Sequence, residues 1–145
     1  MINKLKVGQV LWLKVRYQSN LVSMTKHPML IAKIKYGYIE VIALDKIKGK
    51  LQNLYYPYNY FIDSDNPKET VLYEDSYAQL NTKLTIEFFP ELLLFRKTTS
   101  VLSKVKLNEL LKAYRKYQRK YGIKSERIIY MSKKDIQKFN YYCFK

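Results

Sequence analysis

The chain has 145 residues, a length suited to one domain, which we take to be residues 1–145. Its 27 lysines and arginines against 12 aspartates and glutamates give a net charge of +15, which favours binding to polyanions: RNA, DNA or an acidic protein. The single cysteine, Cys143, excludes a disulfide framework. Residues 1–6 lack the apolar run of a signal peptide, and the chain has no apolar window of about 18 residues that could form a transmembrane helix. We therefore expect a soluble, cytoplasmic protein.

The first part of the chain has the alternation of a small antiparallel sheet. Residues 8–17 predict one amphipathic strand, and the polar loop that follows ends in Lys26-His27-Pro28. Apolar residues then recur at every second position on both sides of Tyr36-Gly37, which predicts a hairpin over residues 29–45. We expect these strands to form the frame of a small curled barrel.

The middle of the chain alternates strand-like and loop-like patterns. Residues 54–62 are rich in tyrosine, and Pro57 keeps them out of a central strand, so we predict an edge strand or an aromatic lid. Five acidic residues between 63 and 75 indicate a solvated loop, because the spacing of a calcium-binding loop is lacking. Residues 76–88 alternate again and predict one long or twice-bent strand.

The last third of the chain predicts two helices. Leucines and tyrosines recur at helical spacing over residues 103–121, with Ser103 as the N-cap and Gly122 as the stop. A short strand at 127–131 and a second helix, capped by Ser132, should follow. We therefore expect a single α+β domain, made of a barrel over about 7–97, a main helix over 103–121 and an extension over 122–145.

The order of these elements resembles the MazF/PemK family of toxins over about residues 7–121. Four pieces of sequence carry the resemblance: Val7-Gly8-Gln9-Val10-Leu11, His27-Pro28-Met29-Leu30-Ile31, Ser76-Tyr77-Ala78-Gln79-Leu80, and Leu102-Ser103 to Leu107. Their order and spacing make the set more specific than any one piece. The resemblance implies an SH3-like, strongly curled antiparallel β-barrel with a C-terminal helix. It also implies a homodimeric, metal-independent endoribonuclease that uses no cofactor and is held inactive by an acidic antitoxin.

The resemblance also points to catalytic candidates, with two departures from the family pattern. The family has an arginine before the proline, where this chain has His27 with Lys26 beside it, and the family's serine or threonine after the hairpin aligns with Asp45. RNA cleavage without a metal needs a group that takes the 2′-hydroxyl proton, a group that protonates the 5′-oxygen and a cation near the phosphorane. His27 and Asp45 suit the first two roles, and Lys26 or Arg16 the third.

Each candidate also has a structural interpretation. A histidine before a proline is commonly a surface loop residue, an aspartate after a strand commonly starts a turn, and tyrosine is a good strand residue. Beside the catalytic set, we predict RNA contacts from basic, polar and aromatic residues of the loops and strand ends: Lys14, Ser23, Thr25, Lys46, Lys48, Tyr56 and Tyr58.

Two other classes of function stay open at this point. The chain could be a non-catalytic nucleic-acid-binding module on the same barrel, or a protein-interaction module whose cationic surface receives an acidic partner. A lysine bias of the whole proteome could also explain the charge. In each case we expect a homodimer, because the chain has more apolar and aromatic surface than one small barrel can hide.

Overall fold

The computed structural model describes residues 4–17, 21–22, 25–63 and 75–140. Ser23, Cys143 and most of the acidic loop lie outside these ranges. The described strands are β1 (Val10–Leu13), β2 (Arg16–Tyr17), β3 (Leu21–Val22), β4 (His27–Lys35), β5 (Tyr38–Lys46), β6 (Asn59–Ile62), β7 (Ser76–Gln79), β8 (Lys83–Glu87) and β9 (Ile128–Met131). The described helices are α1 (Lys104–Tyr121) and α2 (Lys133–Phe139), with 3-10 turns at Leu51–Tyr55, Pro90–Phe95 and Ser125–Arg127. None of the described helices is both long and apolar enough to cross a membrane.

Seven of the strands form one sheet that forks at β5. On one edge β5 pairs with β4, which in turn pairs with β1, and the predicted hairpin turn lies at Tyr36-Gly37. On its other edge β5 pairs with β8 over residues 38–41 and with β7 over residues 44–46. The stretch expected as one long or twice-bent strand is thus broken at residues 80–82 into β7 and β8.

Each branch of the fork ends in a different kind of strand. In the described part of the chain β6 pairs with β7 alone, so β6 is an edge strand. This confirms the first of the two alternatives predicted for the tyrosine-rich segment, an edge strand or an aromatic lid. The other branch ends in β9, which pairs with β8 in parallel and is therefore an exception to the antiparallel sheet expected. The domain is α+β, with a seven-stranded, mostly antiparallel sheet and C-terminal helices.

Alternating residues of the strands build a hydrophobic core on each face of the sheet. One cluster, which includes Leu13 and Met29, is covered by the 3-10 turn at Pro90–Phe95, by β9 and by α2. The other, which includes Leu30 and Leu44, is covered by the leucine and tyrosine face of α1. Full burial of one such leucine stabilises the fold by roughly 1.5–3 kcal/mol, so both faces contribute.

The two helices begin differently, although each has a serine at its N-cap. Ser103 stands at the predicted N-cap of α1, but its side chain accepts no capping hydrogen bond from the helix. Ser132 starts α2 with a capping box, because its hydroxyl accepts a bond from the amide of Asp135 while the Asp135 carboxylate accepts one from the amide of Ser132. Gly122 ends α1 with a φ of +69°, a conformation that favours glycine.

The end of α2 is fastened to the first strands by one buried side chain. The Asn140 amide oxygen accepts a hydrogen bond from the Lys14 backbone N–H at 2.8 Å, and its NH2 group donates to the Lys14 carbonyl at 3.0 Å. Asn140 is completely buried, so these bonds satisfy backbone groups that water does not reach. The described part of the C-terminal extension, up to Asn140, therefore contributes to the packed core.

A second buried polar pair joins α1 to the sheet. The Tyr114 hydroxyl donates to Oε2 of Glu40 on β5 at 3.0 Å, and both side chains are buried. Burial, followed by the nearby Glu40 carboxylate, raises the pKa of Tyr114 well above its ordinary value of 10.0. The neutral phenol is thus strongly preferred in the folded state.

We predict that Asn140→Ala lowers the free energy of unfolding by about 2 kcal/mol, because it removes the two hydrogen bonds to the Lys14 backbone and the bond to the Ile136 carbonyl. Urea denaturation followed by circular dichroism measures this change. The control is Lys134→Ala on the exposed face of the same helix, which should shift the midpoint little. Equal losses of unfolding free energy in the two variants would show that the Asn140–Lys14 hydrogen bonds do not contribute to stability.

We also predict that stability declines at alkaline pH partly through Tyr114. Because folding raises the pKa of Tyr114 above 10.0, its contribution is complete below that pH and is lost as pH rises beyond it. Tyr114→Phe should be less stable near neutral pH, since Glu40 loses its donor, and should lose less stability above about pH 10. Urea unfolding measured from neutral pH to above about pH 10 tests both the lower stability near neutral pH and the smaller loss at alkaline pH. Tyr36→Phe is the control, because Tyr36 is fully exposed. Parallel pH profiles for Tyr114→Phe and wild type would contradict it.

Candidate functional site

The principal catalytic candidates lie at one end of neighbouring strands. His27 opens β4 and pairs with Leu13 of β1, while Asp45 lies near the end of β5 and pairs with Tyr77 of β7. The last residue pair between β4 and β5 is Met29 with Ala43. If the same register is continued by two residues, His27 lies opposite Asp45. The same register places both residues on one face of the sheet, where β4 and β5 are no longer paired.

The next position on each of these strands is a lysine. Continuing the same registers by one step beyond His27 brings Lys14, Lys26 and Lys46 to the same end of β1, β4 and β5. Lys26 and Lys46 are exposed to solvent. A row of cations at the ends of three strands attracts a phosphodiester backbone.

Two further residues predicted to bind RNA belong to the same end of the sheet. Thr25 directly precedes Lys26, and Lys48 lies in the turn that follows β5; both are exposed. Ser23, the remaining polar residue predicted from this loop, lies outside the described residues. The registers therefore bring the predicted strand-end residues to one end of the sheet. His27 is half-buried there, and because side chains alternate along a strand, the three lysines at the strand ends belong to the face opposite that of His27 and Asp45.

Asp45 is held by a network that the sequence did not predict. Its Oδ2 accepts a charged hydrogen bond from Lys50 Nζ at 2.8 Å and a bond from the Tyr77 hydroxyl at 3.2 Å, while its Oδ1 accepts from the Lys46 amide at 2.9 Å. The Asn53 amide in turn donates to the Tyr77 hydroxyl at 3.1 Å. The carboxylate is thus fixed in position and partly neutralised.

The network shifts the ionisation of both of its other titratable groups. The hydrogen bond to Asp45 raises the pKa of Lys50, against a smaller opposing effect of burial. Burial raises the pKa of Tyr77, and its bond from Asn53 offsets part of that rise. Lys50 therefore stays cationic and Tyr77 stays a hydrogen-bond donor across the neutral pH range.

Among the described residues, Arg16 makes its side-chain hydrogen bond to β9 and not to His27 or Asp45. Its backbone N–H donates to the Met131 sulfur at 3.4 Å, and its guanidinium Nη2 donates to the Tyr130 carbonyl at 2.5 Å. These bonds place β2 against β9. A guanidinium has five N–H donors, so this contact leaves donor capacity, but its first role here is to join two strands.

The two tyrosines predicted to stack on bases form a pair of their own. The rings of Tyr56 and Tyr58 are stacked, with centroids 5.2 Å apart and an angle of 13° between their planes. They follow the 3-10 turn at Leu51–Tyr55, and the Tyr56 amide donates to the Asn53 carbonyl. Because the Asn53 side chain binds Tyr77, the tyrosine pair is connected to Asp45 through two residues.

Sequence reasoning missed Lys50 and Tyr77 as members of the site. Tyr77 was assigned to the apolar positions of a strand, although a strand residue paired with Asp45 necessarily shares its face. Lys50 carried a usable signal, since a lysine just beyond Gly49 can fold back across a turn onto an aspartate that ends the strand.

Comparison with known proteins adds no assignment to this geometry. No protein-family model matches the chain, and no curated protein matches its sequence. Within the described ranges, no three side chains of the types His, Cys, Asp and Glu come together in a group that could hold a metal ion.

We predict that Tyr77→Phe lowers the free energy of unfolding more than Lys50→Met does. The buried Tyr77 hydroxyl serves both Asn53 and Asp45, so its loss should cost about 1–2 kcal/mol. The Lys50–Asp45 pair is partly exposed, with side-chain exposures of 41% and 21%, and its loss should cost below about 1 kcal/mol. Urea denaturation at neutral pH ranks the two variants. The reverse order would show that the ion pair dominates the network.

Proposed function

We propose that this chain is a metal-independent endoribonuclease of the MazF/PemK type, the toxin component of a toxin-antitoxin system that cleaves single-stranded RNA. One observation carries this assignment: His27 and Asp45 fall in register at the open end of β4 and β5, and Lys14, Lys26 and Lys46 follow them. An imidazole and a carboxylate at the same end of the sheet as several cations are the kinds of group that RNA cleavage without a metal requires.

The reaction needs only groups of this kind. His27 takes the proton from the ribose 2′-hydroxyl, the 2′-oxygen attacks phosphorus, and the bond from phosphorus to the 5′-oxygen breaks. Lys26 stabilises the charge of the phosphorane, with Arg16 as the other candidate for this role. An acid, either Asp45 in its protonated form or the imidazolium left by the first step, returns a proton to the 5′-oxygen. The products are a 2′,3′-cyclic phosphate and a 5′-hydroxyl.

Two contacts support a strongly curled, SH3-like arrangement of the sheet as part of this assignment. Arg16 of β2 binds Tyr130 and Met131 of β9, and Leu11 of β1 forms an isolated bridge with Arg96. β1 and β9 are at the two ends of the path β1-β4-β5-β8-β9, and β2, which pairs with β3 in a separate two-stranded sheet, follows β1 in the chain. The contact between β2 and β9 therefore supports a curved sheet, and the bridge to Arg96 joins β1 to the segment after the 3-10 turn at Pro90–Phe95.

The same assignment includes partners and a compartment. A net charge of +15 suits both RNA and an acidic antitoxin. A homodimer accounts for the large apolar and aromatic side chains that one copy leaves exposed, among them Tyr36, Tyr38, Phe88 and Tyr130. A cytoplasmic location follows from the RNA substrate, and the chemistry above requires no cofactor.

A non-catalytic nucleic-acid-binding module is the second candidate, and one observation favours it. Lys50, Tyr77 and the Lys46 amide all bind the Asp45 carboxylate, so both of its oxygens already accept hydrogen bonds from the protein. An acid or base must exchange a proton with the substrate. A carboxylate held in this way serves positioning more readily than proton transfer.

We predict that the wild-type protein cleaves long single-stranded RNA in EDTA and that His27→Ala loses activity on the order of a hundredfold or more, since a positioned acid or base contributes that much. Gel analysis of the products and detection of the cyclic phosphate measure the reaction. Lys26→Ala and Arg16→Ala, assayed beside it, decide which cation stabilises the phosphorane.

The control for this comparison is Lys134→Ala, which removes an exposed lysine of α2 and should cleave like wild type. Wild-type activity in His27→Ala, Lys26→Ala and Arg16→Ala would show that the catalytic residues are wrongly assigned. A wild-type protein that leaves RNA intact, yet binds it on filters with a steep dependence on salt, would replace the enzyme with the binding module.

A further inference from the structure

Four tyrosines from two distant parts of the chain meet on one surface. The stacked pair Tyr56–Tyr58 comes from the loop before β6, and the pair Tyr117–Tyr121, with ring centroids 4.7 Å apart, comes from the last two turns of α1. Helix α1 contacts β6, the strand that directly follows Tyr58, and Tyr117 packs against the same core cluster as Tyr60 of β6, so the two pairs adjoin. Burial, then the neighbouring Tyr121 and Tyr58, raise the pKa of Tyr117, in agreement with this placement. We call Tyr56, Tyr58, Tyr117 and Tyr121 the tyrosine platform.

Two tyrosines of the platform are packed against the protein, and the other two present exposed rings. Tyr117 packs against the core cluster under α1, and Tyr58 is half-buried at the start of β6, where its carbonyl accepts the Leu80 amide. Tyr56 and Tyr121 are 50% and 56% exposed. Rings that are held on one side and open on the other lose little conformational freedom when a flat ligand stacks on them.

Positive charge surrounds the platform. The Lys120 ammonium lies 5.2 Å from the centroid of the Tyr121 ring, and the Arg127 guanidinium is held near Tyr117 by two bonds to Asn81, at 3.3 and 3.4 Å. Over residues 112–127 the chain has seven basic residues and one acidic residue, Glu126. Aromatic faces bordered by cations suit a ligand that has both flat rings and phosphates.

We infer that the tyrosine platform binds the unpaired bases of single-stranded RNA by stacking, while Lys120 and Arg127 contact the adjacent phosphates. The choice of RNA as the nucleic acid rests on the proposed function. Paired bases hide their faces from side chains, so the ligand is single-stranded. Asn53, which binds both Tyr77 of the site and the backbone of Tyr56, connects the platform to Asp45, so one strand can occupy both surfaces.

Binding can be measured apart from cleavage. A fluorescent 2′-O-methyl oligouridine lacks the attacking hydroxyl, and an abasic oligonucleotide of the same length has the same phosphates without the bases. We expect Tyr56→Leu and Tyr121→Leu each to weaken oligouridine binding roughly tenfold, the loss typical of one stacked base. The slope of affinity against salt should stay unchanged in both, because no phosphate contact is removed.

Three further variants sharpen the comparison. Tyr121→Phe keeps the ring and should bind like wild type, whereas Lys120→Gln should reduce the salt slope by about one. Tyr36→Leu removes a fully exposed tyrosine at the β4–β5 turn and serves as the control for a general loss of aromatic surface. Unfolding transitions of all variants verify that they are folded, which the exposure of Tyr56 and Tyr121 favours.

The outcomes separate the platform from the enzyme. Wild-type oligouridine affinity in both leucine variants, or equal affinity for the abasic oligonucleotide, overturns the platform whatever the cleavage assay gives. Weakened oligouridine binding in a protein that cleaves no RNA upholds the platform and rejects the nuclease. Leucine variants that lose affinity for polyglutamate but not for oligouridine would assign the surface to an acidic protein and also overturn the inference.

Discussion

The pairing of β5 is the constraint on which the rest of the structure depends. This strand gives one edge to β4 and divides the other between β8 and β7, so the sheet forks and each half of β5 enters a different branch. Alternating residues of β5 then face two separate cores, with Val41 on one side and Ile42 and Leu44 on the other. Helix α1 covers one core and the C-terminal extension completes the other. The end of β5 that carries Asp45 lies where its pairing with β4 has already stopped.

A functional site at the open ends of strands follows from this arrangement. At this end β4 keeps its pairing with β1 and β5 its pairing with β7, but β4 and β5 no longer pair with each other, and the three strand ends lead to lysines. Such a concentration of like charge destabilises the compact state unless counter-charges or solvent screen it. Asp45 offsets part of the repulsion through Lys50 and the Lys46 amide. One carboxylate therefore both supports the cationic surface and lies within the candidate site.

Local patterns predicted most elements, and non-local pairing accounts for the differences. The hairpin at Tyr36-Gly37, the main helix with its Gly122 stop and the capped helix after Ser132 each depend on residues close in sequence, and the structure has all three. The fork of the sheet and the parallel β8–β9 pair depend on contacts between residues far apart in sequence, such as Asp45 with Tyr77 and Lys83 with Ile128, for which alternation gives no signal. In the site, the sequence named Asp45 but not the side chain that holds it, because hydrogen-bond partners across a sheet depend on register.

The tyrosines show why one residue type received two interpretations from the sequence. Tyr117 and Tyr121 match the helical repeat of leucines and tyrosines that predicts α1, yet burial along that helix is greatest at Leu110 and Tyr114 and decreases toward its end. A tyrosine has an apolar ring and a polar tip, so it can close the margin of a core and still present a face to solvent. Near the C-terminal end of α1 its tyrosines adjoin the segment that leads into β6, because α1 contacts β6 and Tyr117 packs against the same cluster as Tyr60. The helix that stabilises one core thereby extends the aromatic surface that begins at Tyr56.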